Sequence, residues 1–552
     1  MHIFKKVPFA EPPVGDLRFA LPKPPRRWEE VWNSKEYGPA CMSNSSETSS
    51  PQKWVDEDCL HLNVFTSEAC LESKNCAVAY YLHGGAINFD SAVMFNDTVV
   101  IEAFPRKDVV IVVGAYRLGV FSHVIFKNES LVPYNLAMYD IISGLEFVQK
   151  EIEHFGGNNQ RVSVFGHSYG GAIVNAMYHS IHVDPENRLF QKAVAMSGPL
   201  KFNSLDFQLD GTRQLIDRAR CNPPNRRPPF SENFRDSYAL NCLKKLDQRV
   251  LLGYQRELEE EGVKDQFSHL LLAEPLFQGK SIPELLSTSV RKIPYMTGTT
   301  SKELDTSNDP FELIEFLSFK NMNQVRAKYF DDLKNGRLVS GFNHSEDTQG
   351  LFLSTWADAQ TATRNGAQVY LYSYQYPKHP RHTDDLYYLL GVHKFEKDEN
   401  EEALSQLYPE YFAQFFKTGR PSQEWTRFNA SCNNYFDINY NNTSGVRPVM
   451  KMPYEKEVIN YWTVGMKNFD EQVSMEKLKN SIPKDVPISV RTFYDEPNSR
   501  RTFLFLMGAV AVFAAFVTLL HMYLVHKYGD VTTMRNNYYL INEKTPLYRR
   551  PK

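Results

Sequence analysis

An α/β fold, its sheet strands buried and flanked by helices and followed by a membrane-spanning segment, is the class this sequence predicts. Three stretches carry that expectation. The first is Arg161-Val-Ser-Val-Phe165, an alternating apolar run that reads as a short buried strand. It passes through Gly166-His167-Ser168-Tyr169-Gly170 into a small-residue helix, Gly171-Ala-Ile-Val-Asn-Ala-Met177. The second is Ala77-Val-Ala-Tyr-Tyr-Leu82, an apolar strand running into His83-Gly84-Gly85-Ala86. The third is Thr502–Val525, free of Asp, Glu, Lys and Arg and long enough to cross a hydrocarbon core about 30 Å thick.

A G-x-S-x-G stretch between a strand and a helix has the context of a nucleophile elbow. Glycines let the chain turn sharply there, which pushes the Ser168 hydroxyl into the open. A glycine-rich packing turn is the bland alternative, and the flanking strand and helix disfavour it. A serine hydroxyl needs a base, and the base needs an orienting acid. It also needs N–H groups aimed at the developing oxyanion. Gly85, Ala86 and Tyr169 can offer theirs, with Gly84 shaping the loop. Ala86 stands where this loop type carries a third glycine, so the hole is expected to survive only if that residue keeps φ below zero.

With these motifs the chain resembles the type-B carboxylesterases, the cholinesterase and carboxylesterase branch of the α/β-hydrolases. Val7-Pro-Phe-Ala-Glu-Pro-Pro-Val-Gly-Asp-Leu-Arg-Phe19 and Asp56-Glu-Asp-Cys-Leu-His-Leu-Asn-Val64 are similar to two of the family's signature blocks. Tyr116-Arg-Leu-Gly119, Asn135-Leu-Ala-Met-Tyr-Asp140 and Phe155-Gly-Gly-Asn-Asn-Gln-Arg-Val162 fit the next three. The resemblance runs to about residue 460 and implies a large, mostly parallel central sheet flanked by helices. It also implies the rest of a triad. Gly298-Thr-Thr-Ser-Lys-Glu303, after a short strand at Ile293–Met296, is similar to the loop bearing the acid; Glu303 takes that place, with Asp305 competing. His382-Thr-Asp-Asp-Leu386, after the strand Val369–Gln375, resembles the base segment; His379 is its nearby decoy. The order Ser168, Glu303, His382 is that of the α/β-hydrolases.

Two residues depart from the family. His167 replaces a glutamate before the nucleophile, which removes a fixed negative charge and speaks against a choline-type substrate. Tyr169 replaces a small alanine and is expected to narrow the acyl pocket or crowd the helix behind it. His167 as the true base is a further alternative, disfavoured because adjacent elbow residues point in different directions.

With 62 basic and 65 acidic residues and a net charge of −3, the chain is not built for nucleic acid. It has no phosphate loop, no dinucleotide fingerprint and no His/Cys set with zinc-ligand spacing, so no cofactor and no metal are expected. Among 7 cysteines, the resemblance pairs Cys41 with Cys59 and Cys221 with Cys242. Cys70 and Cys76 are close enough to bridge, which leaves Cys432 odd. Sequons at Asn44, Asn96, Asn128, Asn343, Asn429, Asn441 and Asn442 agree with an oxidising, glycosylating compartment.

The expected organisation is a hydrolase domain over 1–483, a polar stalk over 484–501, the membrane helix over 502–525 and a short cytoplasmic tail over 526–552. That type I topology requires an export signal, and Met1-His-Ile-Phe-Lys-Lys has no apolar core for one. The family's first strands also fall before the start of this chain. Two functions are compatible with the sequence. One is a membrane-tethered serine hydrolase acting on small-molecule carboxylic esters. The other is a catalytically inactive, neuroligin-like adhesion protein, for which retention of all three triad positions is the contrary feature. A homodimer through the periodic stretch 401–417, or a cell-surface partner, is open in either case.

Overall fold

The computed structural model describes residues 1–43, 54–224, 231–263, 265–277, 281–304, 309–338 and 344–481, with 518–520, 522–523 and 526–527 beyond them. Ten strands form one sheet: β1 (His2–Pro8), β2 (His61–Thr66), β3 (Cys76–Leu82), β4 (Val109–Gly114), β5 (Gly157–His167), β6 (Lys192–Met196), β7 (Tyr295–Thr300), β8 (Val369–Tyr374), β9 (Tyr435–Ile438) and β10 (Val449–Lys451). Their spatial order is β1-β2-β4-β3-β5-β6-β7-β8-β9-β10. From β4 to β9 every neighbour is parallel, and antiparallel pairs close both edges. The sheet is thus the large, mostly parallel one the resemblance implies.

Burial explains why the strands are legible. Val109-Val-Ile-Val-Val-Gly114 is buried at every position, as a parallel strand covered on both faces must be, and its β-branched residues suit that pleated surface. Helix α1 (Leu136–Glu151) lies on one face, where the Tyr80 hydroxyl reaches Gly144. On the other face the Tyr81 ring meets Phe165 at 4.8 Å, and Phe165 meets Phe416 at 5.1 Å. Phe416 belongs to α5 (Glu399–Thr418), which starts on a capping box of Asp398 and Glu401 and contains the periodic stretch seen in the sequence. Three further helices bear on the site: α2 (Tyr169–His179), α3 (Phe311–Phe316) and α4 (Glu346–Arg364).

Two strands differ in extent from expectation. β5 begins at Gly157, four residues early, because Gly157 pairs with Cys76 across an irregularity in the β3–β5 ladder. β7 runs through Thr300, past the expected Met296, because β8 pairs with it over its whole length and β6 over its first four residues. Gly298, Thr299 and Thr300 are therefore strand, and the acid-bearing loop begins only at Ser301.

Met1–Glu471 is one compact unit and Gln472 onward a second. Within the first, residues 197–294 leave the sheet between the neighbouring strands β6 and β7. They carry helices over Leu205–Arg218, Glu232–Lys245 and Gln248–Glu260, and a disulfide joins Cys221 to Cys242. Disulfides also join Cys41 to Cys59 and Cys70 to Cys76; Cys432 is free and half-buried. The stalk and nearly all of 502–525 lie outside the described residues. Among those that are described, no helix is long and apolar enough to cross a membrane.

Candidate active site

β5 ends in a tight turn. Ser168 has φ 56° and ψ −128°, a conformation sparsely populated for a residue with a side chain. It holds because the turn is locked from both sides: Ser168 N–H donates to Met196 O at 2.9 Å, and Ala172 N–H to Ser168 O at 3.0 Å. The glycine at 170 is obligatory by close approach, since a Cβ there would lie 2.1 Å from Leu82 O. Helix α2 starts at Tyr169, the residue after Ser168, so its positive end faces the serine.

The loop after β3 closes over that serine. A Cβ on Gly84 would sit 3.0 Å from Ser168 Cβ. Gly85, Ala86 and Ile87 follow with φ of 85°, 53° and 59°. This corrects the expectation for Ala86, which does take positive φ. An alanine bears that at a cost of about 1 kcal/mol, and the surroundings hold it: His269 N–H donates to Ala86 O at 3.0 Å and Gly119 N–H to Ile87 O at 2.7 Å. His83 anchors the loop's start, stacked on Tyr116 at 4.3 Å, and its backbone oxygen accepts the Tyr116 hydroxyl at 2.7 Å. Burial pulls His83 down to about 4, which keeps it neutral. Among the described residues the N–H groups of Gly85, Ala86 and Tyr169 donate to no protein acceptor, which leaves them to a ligand.

Glu303 follows β7 and His382 follows β8, which brings them together. His382 Nδ1 lies 2.5 Å from Glu303 Oε2. The other carboxylate oxygen, Oε1, accepts the Ser197 hydroxyl and the Thr300 N–H, each at 2.6 Å. The glutamate side chain is fully buried and the imidazole is 11% exposed. No hydrogen bond joins Ser168 Oγ to His382 among the described residues, but both line one cavity of about 1120 Å³. Asp305 lies outside the described residues. His379 is committed elsewhere: it pairs with Glu401 and stacks on Phe395 at 3.9 Å.

The two unusual elbow residues have distinct settings. The His167 ring is buried, 4.7 Å from the His382 ring, and its Nε2 has no partner. Burial first, then His382 and His393, lower its pKa well below the usual histidine value, so it is a neutral neighbour of the base. The Tyr169 hydroxyl donates to Lys201 O at 2.8 Å and accepts Leu270 N–H at 2.6 Å. Tyr169 lines the cavity, and its hydroxyl ties α2 to two segments of the 197–294 excursion.

Sequence reasoning missed Ser197 and Asp90. Ser197 has φ 48° and Asp90 φ 66°, and both act from turns that no motif signals. Of the sequons, Asn96, Asn128, Asn429 and Asn442 are exposed and Asn441 is half-buried; Asn44 and Asn343 lie outside the described residues. No group of three or more metal-ligating side chains occurs among the described residues.

Comparison with known proteins gives this architecture a family. The profile described as "Carboxylesterase family" matches residues 1–347 and 319–462. The chain is 26% identical over 514 residues to the juvenile hormone esterase of Tribolium castaneum, covering 80% of this chain and 83% of that protein. It is 25% identical over 521 residues to carboxylesterase 1C of Rattus norvegicus, covering 84% and 88% respectively. A thermophilic pNB esterase of known structure superposes with a TM-score of 0.66 at 22% identity, over 83% of this chain and 95% of that one, a likeness of fold. The chain belongs to the carboxylesterase family.

Proposed function

We propose that this protein, a carboxylic ester hydrolase, works through Ser168, His382 and Glu303 by way of an acyl-enzyme, and is tethered to a membrane. The observation that carries the mechanism is the buried Glu303–His382 hydrogen bond in the cavity that Ser168 lines. Glu303 holds the His382 proton on Nδ1, which leaves Nε2 to take the serine proton. Ser168 attacks the ester carbonyl, and the N–H groups of Gly85, Ala86 and Tyr169 receive the oxyanion. His382 then protonates the departing alcohol, and water clears the acyl-enzyme by the same proton path.

The test is a fluorophosphonate probe, which phosphonylates only an activated serine. The wild-type chain is expected to label within minutes and Ser168→Ala not at all, with ester turnover down about a thousandfold or more. Equal labelling of the variant, or an unlabelled wild type that is folded, would sink the triad.

The tether rests on the uncharged run Thr502–Val525; the exposed sequons and the disulfides favour a lumenal or extracellular hydrolase domain. Expressed with a supplied export signal, the full chain is expected to stay in the membrane pellet after alkaline carbonate washing. A chain ending at residue 483 is expected in the supernatant. Release of the full chain would remove the tether from the reading.

A further inference from the structure

The loop after the oxyanion residues puts a half-buried carboxyl group, Asp90, into the cavity. Asp90 lines the same cavity as Ser168, His167 and His382, and among the described residues it makes neither hydrogen bond nor ion pair. Burial pushes its pKa up to about 6, against the pull of His382. It is not a spare orienting acid, because His382 Nδ1 is already bound to Glu303. Beside it in the lining are Tyr81, Phe89 and Met94. The Tyr81 hydroxyl is fully buried and has no hydrogen-bond partner either.

Half-buried Asp90 lines the cavity with no protein partner among the described residues, and a buried hydroxyl left unpaired is costly. A protonated amine offers Asp90 a positive charge and an N–H donor at once, and the exposed Phe89 ring suits a cation as well. A neutral or anionic group satisfies the carboxylate poorly. The rest of the lining has the same sign. Its lysine, Lys201, is engaged by Glu312 at 2.8 Å, and Glu315 and Asp347 line the cavity too, whereas burial pushes Glu346 up to about 8 and keeps it neutral. The fixed negative charge that His167 removes beside the nucleophile is thus present elsewhere in the same cavity.

We propose that Asp90 is a specificity-determining residue that accepts a protonated amine carried by the ester substrate. This rests on the ester-hydrolase reading above, and it reverses the inference from His167 alone that cationic esters are disfavoured.

The test compares matched pairs at pH 8, where Asp90 is ionised. Calorimetry measures binding of a non-hydrolysable ether, dimethylaminoethyl pentyl ether, against its carbon isostere, isopentyl pentyl ether. Kinetics compare dimethylaminoethyl butyrate with isopentyl butyrate. The variants are Asp90→Asn and Asp90→Gly, the two residue types that best tolerate φ 66°. In the wild type the amine is expected to be favoured about tenfold in affinity and in kcat/KM, and in both variants the ratio is expected to fall to about two or less. A wild-type ratio near one, or a ratio that survives in the folded variants, overturns the assignment. Failure of the wild type to hydrolyse either ester, with the calorimetric ratio still collapsing in the variants, would sink the esterase reading and leave the amine site standing.

Discussion

Glu303→Gln is expected to lower kcat about a thousandfold to ten-thousandfold while leaving KM within a few-fold of wild type. The size follows from which oxygen is already committed. Thr300 N–H donates to Oε1 at 2.6 Å, and a backbone N–H cannot reverse its role. In the variant the amide oxygen must therefore stay at the Oε1 position, which turns the NH2 group toward His382 Nδ1. That nitrogen must then accept, the imidazole proton moves to Nε2, and the face turned toward Ser168 has no lone pair left to act as a base. Ser197 reinforces the bias, since its hydroxyl donates to the same Oε1. Glutamine is nearly isosteric and the site is buried, so the melting temperature is expected to change by only a few degrees. Turnover and probe labelling within tenfold of wild type would show that Glu303 does not set the histidine tautomer.

The largest expected loss of stability lies near the loop carrying Gly85 and Ala86. Asp140, on α1, accepts three hydrogen bonds from Arg117: backbone N–H at 3.0 Å and Nε at 2.8 Å on Oδ2, and Nη2 at 2.7 Å on Oδ1. The two side chains are 4% and 0% exposed. Asp140→Ala leaves a guanidinium buried whose remaining side-chain hydrogen bond among the described residues goes to the Ala20 carbonyl at 2.8 Å, and is expected to cost about 3–5 kcal/mol in denaturant unfolding. Replacing both residues by leucine is expected to recover most of that, because the uncompensated charge goes with its partner. Equal destabilisation by the single and double variants would show that packing, and not the stranded charge, sets the cost. Activity should suffer as well, because Gly119, two residues after Arg117, donates to Ile87 O and so braces the loop carrying Gly85 and Ala86.

Much of the sheet was legible for a plain physical reason. Strands covered on both faces read as unbroken apolar runs, as Ala77–Leu82 does, and Arg161–Phe165 shows the alternation of a strand. The elbow was legible because its strand, turn and helix are contiguous. Glu303 and His382 were not contiguous with anything that explains them. Their encounter depends on β7 and β8 lying side by side after a long excursion of chain, and only the resemblance to a family pointed at them. Ser197, Asp90 and the left-handed Ala86 were illegible for another reason: each takes a backbone conformation that its residue type disfavours, so local preference argued against what tertiary structure imposes. The end of β7 was misjudged because pairing from both sides overrode the turn-like Gly-Thr-Thr.

The departure of the chain between β6 and β7 has a consequence for divergence. β6 ends at Met196 and its parallel ladder neighbour β7 begins at Tyr295, so residues 197–294 are a detour that returns to the strand beside the one it left. Closing a longer detour costs only about 0.6 kcal/mol per doubling of its length, and the strands it leaves and rejoins need not shift. Leu200, Phe202 and Phe207 line the cavity from its first part, whereas Ser168, Glu303 and His382 follow the ends of β5, β7 and β8. Descendants of such a chain can lengthen, shorten or rewrite most of the detour and meet new esters, provided Ser197 still holds Glu303 and His269 still braces Ala86.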